Sequence, residues 1–254
     1  MLARQVDYDA LFKSLVEEEG LTVSEACQET YNTFTGDGQY NTEAIFAYAD
    51  ESALLLKTNI MEKMDSIVKA AEGKDSFVNA NFAFQGLQKL LTSSSPTDSF
   101  VAPWRMLESF SFLNSLLSLL HVESKSEEEE EDENSHGEED SDDDTEEHIS
   151  LQLQAVLNMI LFYLEGGSKY HRFRDMPNSC LLSGDQMKCM IKQADEHIQD
   201  KRVFVLFIKV LTLLCSLVDQ NKMIFQSAHG DALLDLGRKM YKKNDELLQL
   251  LKCI

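Results

Sequence analysis

Proline occurs three times in 254 residues and tryptophan once. With so few helix breakers, apolar residues recurring at three- and four-residue steps, and little period-two alternation, the chain reads as all-α. Cysteine is sparse and odd in number, at positions 27, 180, 189, 215 and 253, with no CxxC and no paired Cys/His spacing. That excludes a disulfide framework and a zinc site, and points to a reducing compartment. Cys215 falls inside an apolar helix, where it reads as a small hydrophobe. Glycine-rich phosphate loops are missing, and Gly166-Gly167 and the Gly36/Gly38 pair read as helix terminators. His121, His136, His148, His197 and His229 form no Ser/His/Asp, Cys/His or HExxH arrangement. A calcium loop around Asp37-Gly38 fails, because Gly38 at the sharp turn puts Ala44 where a bidentate Glu is needed. Residues 1–7 carry no apolar segment, and Gln154, Asn158 and Lys209 interrupt the most apolar helices before bilayer length. These absences predict a non-catalytic chain without cofactor, metal, small-molecule substrate or membrane insertion, in the cytoplasm or also the nucleus.

What is abundant is negative charge. The formal net charge is -21, yet residues 123–148 hold sixteen acids against one lysine, which leaves -6 for the rest. A mildly acidic remainder argues against a nucleic-acid backbone as direct ligand, since phosphate binding requires clustered cations. The tract includes Glu127, Glu128, Glu129, Glu130 and Glu131, then Asp142, Asp143 and Asp144. Like charges without aliphatic or aromatic residues do not offset ordering entropy, so 123–148 is expected to be a disordered loop. A mobile anionic loop steers a basic partner, and the alternative is a solubilising insertion. Ser124, Ser126, Ser135 and Ser141 each precede an acid by three positions, the pattern favoured by acidophilic kinases, and phosphate there deepens the charge.

Helices are expected over 7–19, then from a capping box at Thr22-Val23-Ser24-Glu25, over 42–71, and again after Gly73. Pro103 suits the first turn of a helix carrying Leu107, Phe110, Leu113, Leu117 and Leu120. Helix resumes at about 149, Ser183-Gly184-Asp185-Gln186 reads as a second capping box, and 203–218 is the most apolar stretch. Met187, Met190, Met223 and Met240 read as core filler. His171 with Arg172 and Arg174 reads as a basic edge between helices in preference to an anion site.

From residue 149 the pattern of apolar helix, short segment and amphipathic helix begins again after about 54 residues. Gln154-Ala155-Val156-Leu157 and Tyr170-His171-Arg172-Phe173 stand in one copy, Lys209-Val210-Leu211 and Asn221-Lys222-Met223-Ile224-Phe225 in the next. Such repetition predicts a solenoid. Asn221 to Phe225 as a short helix, Gly230-Asp231-Ala232-Leu233-Leu234 opening a second and Asn244-Asp245-Glu246-Leu247-Leu248 opening a third resemble an armadillo or HEAT-type unit. The resemblance spans 42–254 and is clearest from 149. It implies a right-handed α-solenoid, with 1–40 as a helical cap, 41–122 as divergent armadillo-like helices, 123–148 as the acidic loop, and 149–254 as repeats that continue or need a cap beyond 254.

The resemblance also implies a groove lined by successive third helices. Where the family presents an Asn to a bound peptide, the matching positions are Tyr163 and Ser216, and where it presents a Trp they are Met159 and Thr212. Met159, Tyr163, Thr212 and Ser216, with Lys209 at the edge, are therefore the candidate groove residues. The missing Asn argues against an importin-like grip on basic signals. The resulting expectation is a protein-binding scaffold or adaptor whose acidic loop tunes association with a basic segment. Two alternatives stand beside it: an acidic-tract chaperone for basic clients such as histones or ribosomal proteins, and a regulatory part of a larger protein or complex whose catalytic part lies elsewhere.

Overall fold

The computed structural model describes residues 8–36, 51–93, 107, 112–120, 142–169 and 180–254. Among these the regular structure is helical throughout: α1 (Tyr8–Glu17), α2 (Val23–Gly36), α3 (Glu51–Ala71), α4 (Phe77–Ser93), α5 (Phe112–Leu119), α6 (Asp142–Lys169), α7 (Gly184–Glu196), α8 (Lys201–Leu217), α9 (Asp219–Ser227), α10 (Gly230–Met240) and α11 (Asp245–Leu250). The chain divides into two compact units, residues 1–67 with 76–110, and residues 68–75 with 111–254.

In the first unit, α1 and α2 form a hairpin. The Thr22 hydroxyl and amide both donate to the Glu25 carboxylate while the Glu25 amide donates back to Thr22, which closes the expected capping box. Leu15, Ala26 and Cys27 are buried there. α3 buries Ile60, Met64 and Ile67, and α4 buries Ala80, Ala83, Phe84, Leu87 and Leu91. The two helices approach closely at Gly86, where an added Cβ would lie 3.2 Å from the Lys63 side chain. Gly73, at φ +71, ends α3, a left-handed conformation that glycine adopts without Cβ penalty.

The second unit is organised around α8, which packs most extensively on α6 and also against α7, α9 and α11. Its sequence explains this role. Eight of its seventeen residues are buried, including Val203, Phe204, Phe207 and Leu211, so a stripe that normally faces one neighbour here faces several. The helix starts where the Asp200 carboxylate accepts from the amides of Arg202 and Val203, at 2.8 and 3.3 Å. α7 starts at the expected box, with Ser183 and Gln186 reciprocally bonded. Met187 and Met190 sit in the core as expected, whereas Met223 is 70% exposed.

A buried carboxamide ties the elements together. Asn221 Oδ1 accepts from the Leu182 amide at 2.9 Å, and its Nδ2 donates to the carbonyls of Cys180 (2.7 Å) and Leu214 (3.0 Å). One side chain thus reaches three backbone groups, of which the Leu214 carbonyl also accepts from the Val218 amide at the end of α8.

Two boundaries differ from the expectation. α6 begins at Asp142, not 149, so the part of the tract holding Asp142, Asp143 and Asp144 is helical and forms the opening turn. Acidic residues complement the unpaired amides of a helix start. The helix also runs past Gly166-Gly167 to Lys169, since glycine lowers helix propensity by about 1 kcal/mol without forbidding helix. Residues 127–131 and Ser124, Ser126, Ser135 and Ser141 lie outside the described residues, as do Trp104 and His171.

Candidate functional site

The face of α8 turned away from its core contacts is set by register. With 203, 204, 207, 208, 210 and 211 buried, Lys201, Val205 and Lys209 fall on one stripe at four-residue steps. This stripe forms the middle of an open cleft of about 810 Å³. One wall is α6, contributing Gln154 and Asn158, also four apart. The other is α11 with its flanks, contributing Asn244, Glu246, Leu247, Gln249, Leu250 and Cys253. Arg202 and Leu206 complete the α8 side. Three helices thus share one concavity, with an aliphatic floor of Val205, Leu206 and Leu250 and a polar rim.

A smaller cleft of about 580 Å³ shares Lys201 and Asn244 with the first and continues past Tyr241, Lys242 and Lys243. Tyr241 is held from two sides where the clefts meet. The Tyr241 ring stacks on Phe204, centroids 5.6 Å apart and planes at 19°, and its hydroxyl donates to the Ile198 carbonyl. Burial, and secondly the charge of Asp200, raise the Tyr241 hydroxyl above the ordinary tyrosine value. Burial also pushes on the Asp200 carboxyl, but the Ser150 hydroxyl, the Arg202 and Val203 amides and the Arg202 charge outweigh it and hold the group low. Asp200 therefore links α6 to the start of α8 as an anion.

Of the expected groove residues, Lys209 lines the cleft and four do not. Met159 and Tyr163 are each 2% exposed, and Tyr163 meets Phe112 edge-on at 5.8 Å. These two are core residues: on α6 they lie on the face that packs into the unit, while Gln154 and Asn158 face outward. Thr212 is half-buried with its hydroxyl donating to the Ile208 carbonyl, and Ser216, though exposed, donates to Leu213. Both hydroxyls are occupied by their own helix, further along α8 than the cleft extends. What sequence reasoning missed was Gln154 and Asn158, seen as interruptions of an apolar run although their spacing marks an outward face.

That apolar run is longer than expected. Residues 149–166 have a mean hydropathy of 1.2 over eighteen residues, enough in length and composition to cross a membrane, and 44% of the window is buried within the unit. Leu153, Val156, Leu157, Met159, Ile160, Leu161, Tyr163 and Leu164 account for that burial, so the apolar character of α6 serves helix packing. Among the described residues no three His, Cys, Asp or Glu side chains gather as a metal site would require. Burial raises the Cys215 thiol to about 11, and Cys189 is raised by the same cause, so neither is poised as a nucleophile.

No family model, no curated protein and no solved structure matches this chain.

Proposed function

We propose that the chain is a non-catalytic scaffold or adaptor that holds a protein partner in the cleft between α6, α8 and α11. The observation that carries this reading is the cleft itself: one concavity of about 810 Å³ bounded by α6, α8 and α11. Two consecutive helix sets, α7–α8 and α9–α10–α11, support it by their order, although α11 is only six residues long. On this reading the second unit is an armadillo- or HEAT-like right-handed solenoid, and its groove is the surface that repeat proteins use for extended ligands. A floor of aliphatic side chains with a few convergent polar groups suits a peptide segment.

The test is affinity capture with the intact chain, with an Asn158→Arg/Lys209→Glu variant that obstructs and recharges the cleft, and with a variant lacking 123–148. Partners that persist without 123–148 and vanish with the double substitution support the cleft as the binding element. Partners that vanish only with 123–148, or on mild salt, overturn it in favour of an acidic-tract chaperone for basic clients.

A further inference from the structure

Charge on the second unit is distributed unevenly. Elsewhere on the unit some cations are neutralised locally, Lys192 by Glu196 at 3.3 Å, Arg238 by Asp235 at 2.9 Å and Lys188 by Asp185 at 3.9 Å, while Lys222, Lys239 and Lys252 stand apart from one another without a salt bridge among the described residues. Along the two joined clefts, Lys201, Lys209, Lys242 and Lys243 form no salt bridge among the described residues, and the acids there are Asp245 and Glu246. Arg202 adds a fifth cation, partly offset by Asp200. A chain of net charge -21 thus presents a groove lined by more cations than acids. The rim also offers amides without a hydrogen-bond partner among the described residues, on the side chains of Asn158 and Gln249.

We propose that this groove takes an acidic polypeptide segment bearing aliphatic side chains. The inference rests on the adaptor reading and names the chemistry of its partner, which is opposite in sign to a basic client. The four lysines pair with Asp and Glu of the segment; Val205, Leu206 and Leu250 receive its aliphatic side chains; Asn158 and Gln249 bond its backbone. Convergent unpaired cations set orientation and encounter rate, while the apolar floor sets residence. A single-stranded nucleic acid satisfies the lysines but not the rest. Its bases need free aromatic faces, and the Tyr241 ring in the groove is already stacked on Phe204.

The experiment is selection of a displayed random 16-residue peptide library on the full chain, followed by fluorescence anisotropy with the enriched peptides. A labelled oligothymidine is measured in parallel. The expected result is enrichment of Asp/Glu-rich sequences with interspersed Leu, Ile or Val, bound about tenfold more weakly by Lys201→Glu/Lys209→Glu and weakened by salt. Because both lysines are exposed, the variant is expected to retain the wild-type circular dichroism and melting temperature. Enrichment of basic or neutral peptides overturns the inference, and leaves the adaptor reading in place when Asn158→Arg still abolishes binding. Acidic peptides indifferent to the lysine reversal, or oligothymidine bound more tightly than any peptide, also overturn it. No enrichment at all overturns both the inference and the cleft as a peptide site.

Discussion

Asn221 and Leu182, thirty-nine residues apart in sequence, are joined by a buried hydrogen bond from the Leu182 amide to Asn221 Oδ1. The same carboxamide donates to Cys180 and Leu214, so truncation removes three buried hydrogen bonds at once. Asn221→Ala is expected to cost about 3 kcal/mol, checked by urea denaturation. Asn221→Asp keeps the acceptor but turns a carboxylate oxygen toward two carbonyls, and is expected to be at least as damaging. A loss below about 1 kcal/mol for both variants would show that the network is not what holds 180–182 against α9.

Gly230 is a second point of close approach. A Cβ at this position would lie 2.3 Å from the ring of Phe225, which is itself 1% exposed. Alanine normally improves a helix by up to about 1 kcal/mol over glycine, yet here the clash should dominate and Gly230→Ala should destabilise by about 1–3 kcal/mol. Phe225→Leu in the same chain should relieve part of that loss. Thermal melts of the two single variants and the double variant measure the coupling; strict additivity would mean that the ring does not oppose the methyl.

Acid stability should depend on Asp200. Its carboxyl is held below the ordinary aspartate value because its hydrogen bonds and the Arg202 charge outweigh burial. A depressed native value means that the contribution is complete above the unfolded value of about 3.9 and is lost as pH falls through the native one. Wild type should therefore be more stable than Asp200→Asn at pH 7, with the difference shrinking below about pH 4. Paired denaturant titrations across pH 2–7 check this, and a constant difference would place the stabilisation in the neutral hydrogen bonds.

Thiol reactivity should separate the cysteines by environment. Cys253 is exposed, while Cys215 is buried with its thiol raised to about 11, which leaves on the order of one thiolate in a thousand at pH 8. Iodoacetamide on the native chain should label Cys253 readily and Cys215 only in denaturant, as read by peptide mass mapping.

The helices and most of their termini were legible in the sequence because local chemistry fixes them. Thr22/Glu25 and Ser183/Gln186 close the boxes their spacing announces. The start of α6 was not legible: charge density argued against order, while the preference of helix starts for acids carried the helix back to Asp142. Of the five groove candidates read from the sequence, Lys209 lines the cleft. The choice of Met159 and Tyr163 failed because periodicity identifies faces without saying which one meets the core. α6 is apolar around much of its circumference, and contact with α5 and α8 decides that Gln154 and Asn158 look outward. Asn221 shows the same limit, since nothing local distinguishes a buried carboxamide that satisfies distant carbonyls from a solvated one.

The burial pattern of α8 has a consequence for how this surface can change over generations. Substitution at its eight buried positions disturbs several neighbours at once and is expected to be purged. The stripe of Lys201, Val205 and Lys209 touches the cleft more than the core, so mutations there are tolerated by folding and are read out mainly by whatever is bound. A helix that anchors its unit on one side and varies freely along one narrow line on the other lets binding preference drift while the architecture stays put.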